Sequence, residues 1–314
     1  MKKLLFGTII TVFTLGFVAL IIKAPNVYAA QPTVNLRTAA PFAILAGTPA
    51  ITDAGNTSVI TGNVGLSPAS GAGIGLWCSQ MTGTSTIYGV DAGYIGGGST
   101  LCFKGTAPDK TLVDNAKLDL TTAYTDAANR IPVNTVGTEL GGTTKTAGVY
   151  TSGATAFQIT AGAGPLVLDA QNDPSAVFIF EVSADAPGLT VGNASEVQLT
   201  GQAQACNVFW RVISASIGTT AVFKGNILAL NDITVANGAN IEGSLLARNG
   251  QVTLINDTIT VPICTVPEVV TPTPTLPNTG SAPKETQSNL WAIGIATGII
   301  TLLSVFVIRK KRAI

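Results

Sequence analysis

The sequence predicts a mainly β chain wound as a parallel β-solenoid, and two observations predict it. Residues 217–234 laid over 235–252 place Phe223 on Ile241, Gly225 on Gly243, Ile227 on Leu245, Leu228 on Leu246, Ala229 on Ala247 and Asn231 on Asn249, at a constant offset of eighteen residues. Each copy is made of short, β-branched apolar runs broken by Gly and Asn, the composition of short strands separated by corners. A repeat of that length cannot bury its inward side chains alone and does so by stacking on the next coil. Equivalent positions then form ladders about 4.8 Å apart. Lys224 and Glu242, one period apart, are therefore expected side by side as an exposed ion pair.

Taken in order, the chain opens with Lys2 and Lys3, an apolar run over 4–22 and small residues at Val27-Tyr28-Ala29. That order predicts a signal peptide over 1–29, cleaved after Ala29, in preference to a retained membrane anchor. Residues 58–66 carry the same Gly-Asn-aliphatic corner as 222–227, so the N-terminal part is expected to supply coils too. Four cysteines in an exported chain suggest two disulfides. Cys78 and Cys102 bracket a Gly-rich, irregular segment, whereas Cys206 and Cys264 flank the repeats and would lock the last coil; of three possible pairings, this one is expected.

One helix interrupts the β pattern. Thr111 and Asp114 form a capping-box-like start, Leu112, Val113, Ala116, Leu120, Ala123, Tyr124 and Ala127 fall on one face as far as Arg130, and Pro132 forbids continuation. Asp114, Lys117, Asp119 and Asp126 occupy the opposite face. The apolar stripe needs a partner, and the flank of the solenoid is the only large one. Strand-like runs follow at 149–150, 166–168, 176–180 and 208–210.

The solenoid domain is assigned to 30–264. Residues 265–279 turn to Pro, Thr and Val, a stiff stalk, and end within Leu276-Pro277-Asn278-Thr279-Gly280. A polar spacer, an apolar stretch over 290–308 and Arg309-Lys310-Lys311-Arg312 make up a tail over 280–314. At about 1.5 Å per residue the apolar stretch nearly crosses a bilayer core of about 30 Å, with the basic end held inside. This tripartite end resembles a Gram-positive-type cell-wall sorting signal, which a sortase cuts between Thr and Gly. The resemblance implies a membrane-spanning segment before processing, Thr279 joined to peptidoglycan after it, and an extracellular, cell-wall-anchored protein in which Leu276, Pro277, Thr279 and Gly280 carry the sorting. A plain C-terminal anchor is the alternative.

Processing at both ends would leave nine basic and sixteen acidic residues, a net charge of minus seven that repels phosphate backbones and argues against nucleic acid as a partner. The chain has no His, which removes the usual general base and metal ligand. Asp169 with Asp173 and Glu181 with Asp185 are the carboxylate pairs to test for glycan cleavage; Asx turns account for the first, and a strand end and a turn for the second. Gly96-Gly97-Gly98 lacks the Gly-Lys-Ser/Thr of a phosphate loop, and Asn231-Asp232 and Asn256-Asp257 lack the nonapeptide of calcium-binding β-rolls. No enzyme activity, metal or cofactor is expected, and the protein is expected to be a monomer.

Several stretches resemble the microbial ice-binding proteins: AAPFAILAG at 39–47, ITGNVGLSP at 60–68, LTTAYTDAANR at 120–130, ELGG at 139–142, AGVY at 147–150, LDAQNDPSAVFIFEV at 168–182, AQACNVFWRV at 203–212, and the repeat segments FKGNILAL and LLARNGQVTL. The resemblance implies a discontinuous, right-handed β-helix of triangular cross-section with one long α-helix packed alongside, and an ice crystal surface as partner. In that family one flat side often carries Thr-(Ala or Gly)-any-(Thr or Asn) on successive coils. The places matched to it here put Thr57, Ser152, Thr155, Thr219, Asn237, Asn240 and Thr258 on the ice-binding side, with Glu196 and Val222 interrupting the pattern. Two functions stay open: ice binding at the cell surface, as antifreeze or ice adhesion, and a non-catalytic cell-wall adhesin using the same solenoid on glycan or protein.

Overall fold

The computed structural model describes residues 31–131, 133–183 and 187–265, all within one compact unit, Met1–Pro267. The expected leader, the stalk with its Leu276 to Gly280 motif and the apolar tail lie outside the described residues. Among the described residues no helix is long and apolar enough to cross a membrane.

The chain winds through three faces. Face A is a sheet of ten strands, in spatial order Phe103–Lys104, Ile87–Tyr88, Asn63–Leu66, Phe42–Ala46, Leu245–Ala247, Asn226–Ala229, Val208–Val212, Phe178–Glu181, Gly148–Thr151 and Val133–Thr135. Face B has six: Phe157–Ile159, Leu189–Val191, Ala215–Ile217, Ile233–Val235, Val252–Leu254 and Ile51–Asp53. Face C joins Thr144–Thr146, Leu166–Asp169 and Val197–Thr200 to Val222–Lys224, Asn240–Glu242, Thr258–Thr260 and Val59–Thr61 through the Glu196–Val222 bridge. Each coil passes from A to B to C, and its strands pair in parallel with those of the next.

The register follows the internal repeat. Ile227 pairs with Leu245, Leu228 with Leu246 and Phe223 with Ile241. On face B the offset slips by one residue, Ile233 meeting Val252, because the corner before Val252 is longer; it returns at Asn240 opposite Thr258. Gly225 sits on the corner between C and A at φ +110°, and a Cβ there would press into Val208 and Trp210 of the coil beneath. The ion pair expected between Lys224 and Glu242 forms at 2.8 Å.

Coil order is where the fold departs from chain order. The N-terminal coil stacks beyond the last repeat, Ile44 on Leu245, Ile51 on Val252 and Ile60 on Ile259. The chain after the helix restarts at the opposite end, with Val133–Thr135 on Gly148–Thr151. The helix Ala107–Ala128 makes the return trip: 22 residues at about 1.5 Å each reach past about seven rungs of about 4.8 Å.

The middle of face A is consequently buried on both sides, while its outermost strand Val133–Thr135 is exposed. Inward, Tyr150, Phe180, Trp210 and Phe223 stack up the axis at ring separations of 5.3, 4.2 and 5.3 Å. Outward, Val149, Ile179, Phe209, Leu228, Leu246 and Leu45 meet Val113, Ala116, Leu120, Ala123, Tyr124 and Ala127 of the helix. The helix begins four residues before the Thr111 start expected for it, because Thr106 caps it: the Thr106 N–H donates to Asp109 at 2.9 Å, with Pro108 in the first turn. Leu112 turns to solvent, 38% exposed. Lys117 does the reverse. Its Nζ donates to the Ala247 carbonyl at 2.5 Å, and burial, aided by Arg248, pulls its pKa down to about 7. Both disulfides, Cys78–Cys102 and Cys206–Cys264, are formed as paired above, with Cα separations of 5.6 and 5.5 Å.

Candidate functional site

Of the three faces, B carries an uncharged outward column on all six of its strands, with Glu139 bridged to Gln158 beyond one end. Its strands are three residues long; five read apolar, polar, apolar and Ile51-Thr52-Asp53 ends in a buried carboxylate, so one side chain per coil points outward. These outward residues line up as Gln158, Thr190, Ser216, Thr234, Thr253 and Thr52, each paired with the next across the sheet. Thr253 is half-buried and the other five are exposed. Inward neighbours such as Phe157, Leu189, Ile217, Ile233, Val252 and Ile51 are fully or nearly fully buried and fix the backbone from behind.

A second column runs along the corner between B and C. Asn193, Thr219, Asn237 and Asn256 each lie three residues after the strand residue of their own coil. They are cross-linked: the Thr219 N–H donates to Asn193 Oδ1 at 2.9 Å, and Asn256 Nδ2 to Asn237 Oδ1 at 3.3 Å. The residues that turn this corner, Ala194, Thr220 and Gly238, take positive φ of 53°, 55° and 79°, which lets the chain change faces within one residue.

Behind the corner a buried polar network joins the N-terminal coil to the last repeat. Asp53 accepts from Ser58 Oγ at 2.8 Å and from Gln80 Nε2 at 2.6 Å; Ser58 Oγ accepts from the Asp257 N–H at 2.9 Å. The Asp257 carboxylate takes the Ala239 and Ile255 N–H groups, both at 2.8 Å. Burial pushes the Asp257 carboxyl up to about 6, those backbone donors opposing the rise and the Asp53 charge adding to it.

The residues expected from the sequence to form one side are distributed over several. Thr219 and Asn237 border face B on the B–C corner, and Thr57 is exposed on the same corner in the N-terminal coil. Asn240 and Thr258 are paired strand residues of face C. Ser152 is buried on the corner between A and B, its hydroxyl donating to the Thr155 carbonyl at 2.5 Å, while Thr155 is exposed there and meets Thr138 at 3.0 Å. The strand column from Thr52 to Thr190 falls outside the four-residue pattern. Its sequence signal is an apolar-Thr/Ser-apolar triplet in four successive coils: Leu189-Thr190-Val191, Ala215-Ser216-Ile217, Ile233-Thr234-Val235, Val252-Thr253-Leu254.

The carboxylate pairs have structural work. Asp169 accepts from the Gln171 N–H at 2.8 Å and Asp173 from the Ser175 N–H at 2.9 Å, as Asx turns do. Burial raises the Glu181 carboxyl pKa, opposed by Arg211, and Asp185 lies outside the described residues.

Comparison with known proteins places this architecture. A family model described as ice-binding-like matches residues 44–260. An ice-binding protein of Flavobacterium frigoris is 36% identical over 233 residues, covering 73% of this chain and 76% of that one. One from a Nostoc species is 34% identical over 279 residues, covering 88% and 87%. Among solved structures, an ice-binding protein from an Antarctic biological consortium matches with a TM-score of 0.62 at 33% identity, over 76% of this chain and 96% of that one. The corresponding domain of a Shewanella frigidimarina ice-binding protein matches with a TM-score of 0.63 at 28% identity, over 74% and 99%. The chain belongs to the ice-binding-like family.

Proposed function

We propose that this protein binds ice through face B, at the surface of the cell that exports it. The observation that carries this is the uninterrupted run of uncharged outward residues, Gln158 to Thr52, backed by fully packed side chains and bordered by the Asn193, Thr219, Asn237 and Asn256 column. A β-branched threonine has few rotamers, so a ladder of them fixes hydroxyls and methyls at a rung spacing of about 4.8 Å. Such a surface holds its first water layer in register, and the layer can join a growing lattice. A carboxylate or ammonium, with its own tightly oriented shell, would break that register. The role is non-catalytic. Of the seven residues expected from the pattern, Thr219 and Asn237 join the strand column in the contact set.

Growth of a single ice crystal in the purified protein tests this. Faceting is expected with wild type, is lost in Thr234→Tyr, where a ring lifts the water layer off the middle of face B, and persists in Asn240→Tyr on face C. Equal shaping by both variants would move the contact elsewhere. A wild type that neither facets crystals, inhibits recrystallisation nor partitions into growing ice would hand the function to the adhesin alternative.

Cell-surface placement is supported by the sequence at both ends. Cleavage after Ala29 releases the domain outside, and transfer of Thr279 to peptidoglycan by a sortase leaves it on the wall. Replacing Thr279 with Ala is expected to release the protein or leave it in the membrane fraction. Unchanged resistance to detergent extraction in that variant would remove wall attachment from the proposal.

A further inference from the structure

The chain leaves the solenoid by an unusual route. After Thr258–Thr260 it does not run off the end; the Val261 N–H still pairs with the Thr61 carbonyl at 2.9 Å, and residues 262–265 then turn back along the corner between C and A. They pass the coil of Asn226 and finish two coils earlier, where Cys264 is bonded to Cys206. Thr265 is gripped there by one side chain. Gln204 Oε1 accepts from the Thr265 N–H at 2.6 Å and from its hydroxyl at 3.0 Å, while Gln204 Nε2 donates to the Thr265 carbonyl at 3.0 Å.

Cys206 is a well-rooted place for such a bond. It sits in the turn Ala205–Asn207, which leads directly into Val208–Val212, a strand paired on both sides, with Phe178–Glu181 and with Asn226–Ala229. Phe209 of that strand packs on the helix and Trp210 on the axial stack. The turn is tied to both neighbouring coils as well: Gln204 Nε2 donates to the Pro174 carbonyl at 2.7 Å and Asn226 Nδ2 to the Cys206 carbonyl at 3.4 Å. In a three-faced solenoid the corner between C and A is the edge opposite face B.

We propose a mechanical function for this joint: the Cys206–Cys264 bond and the Gln204 grip carry tensile load from the C-terminal side of the domain into the middle of face A, on the edge opposite the ice-contacting face. Tension arriving at Thr265 divides between the grip and the disulfide and enters at Cys206. The coils between the two cysteines, 58 positions apart, lie inside a closed covalent loop and feel no pull. Without the bond the same tension would reach Thr258–Thr260 first, a strand of only three residues that peels one rung at a time. The proposal rests on wall attachment only for the natural source of the pull, and on face B only for its direction.

Magnetic tweezers on residues 30–279 test it, since solved relatives matched over 96% and 99% of their length are this domain alone. One handle is placed at the C-terminal end and the other on an azide-bearing residue replacing Thr190. The oxidised protein is expected to hold without extension at forces where the Cys206→Ser/Cys264→Ser variant already yields a first step of up to about 20 nm, the length of the released loop at about 3.5 Å per residue. Reduction of wild type by a phosphine while under tension should produce the same step, and serves if the double variant does not fold. A first rupture at the same force and of the same length with and without the bond would overturn the proposal. Because the pull is applied directly, the result stands apart from the extraction assay on Thr279→Ala, whose failure would remove the wall but not the joint.

Discussion

Faces B and C are made from the same coils, a few residues apart, and differ in what they show to solvent. On B the six paired strands offer Thr, Ser or Gln, and a carboxylate, Glu139, stands in line with them only at one end, bridged to Gln158. On C the equivalent outward positions include the Lys224–Glu242 ion pair, Glu196 and the exposed Val59. Backbone, rung spacing and inward packing are alike on the two, so whatever B does that C does not must come from side-chain choice. The solenoid supplies the ruler, and the residues written on it decide which face meets a lattice.

The largest effect is expected from putting a charge within the uncharged column. Ser216→Lys places an ammonium in the centre of the column and should abolish most thermal hysteresis, whereas Asn240→Lys, on a face that already carries charge, should leave it near wild type. Both positions point outward, so stability should stay within the range ordinary for surface changes, about 0.5 kcal/mol. Equal loss in the two variants would break the contrast between the faces.

Next comes the packing that B and C share with A. Leu246 is fully buried against the helix, between Leu228 and Leu45 of the neighbouring coils. Leu246→Ala should cost about 2 to 5 kcal/mol by urea unfolding, while the folded fraction still shapes ice. A cost near zero would show the helix to be loosely held.

Much of this is legible in the chain. The repeat at 217–252 predicts the register down to Ile227 on Leu245, because inward ladder positions must be apolar in every coil. Cys206–Cys264 is legible too, since the two cysteines flank the repeats. The place of the N-terminal coil is not: Ile44 on Leu245 is a contact between distant parts of the chain, and nothing local in either strand names its partner. The helix start is legible only in part, because Thr111 looks like a cap until Thr106 and Asp109 are seen to make one a turn earlier. At the candidate site, a four-residue pattern favours corner residues such as Thr155 and Thr57 over the strand column. A single Thr between two apolar residues is an ordinary strand, and becomes a surface only when the coils are stacked.

A smaller effect is expected at the joint behind the B–C corner, and it depends on pH. The folded Asp257 carboxyl titrates near 6 against an ordinary 3.8. A group whose folded value is raised favours the fold while protonated, so its contribution is complete below about pH 4 and is lost as pH rises through 6. A rise of that size is worth at most about 3 kcal/mol. Carboxylates held low, such as Asp109 and Asp119, act in the opposite direction and at lower pH. The measurement is therefore the difference between wild type and Asp257→Asn across pH 4 to 7. Wild type should lose ground to the variant as pH rises, and parallel curves would show that Asp257 does not titrate there.

The smallest effect belongs to the feature most visible on face C. Lys224 and Glu242 meet at 2.8 Å with side chains 26% and 44% exposed. An exposed pair between long side chains gains little after their lost freedom and salt screening, about 0 to 1 kcal/mol. Lys224→Gln with Glu242→Gln should therefore leave stability within that range, with any difference vanishing at high salt, and leave ice shaping unchanged. Should the neutralised face C begin to shape ice by itself, charge alone would have separated the two faces. Should it stay inert, as expected, the lack of a Thr column on C, where Val222, Asn240, Thr258 and Val59 line up instead, is what keeps its water out of register, and the ladder on B is the necessary part.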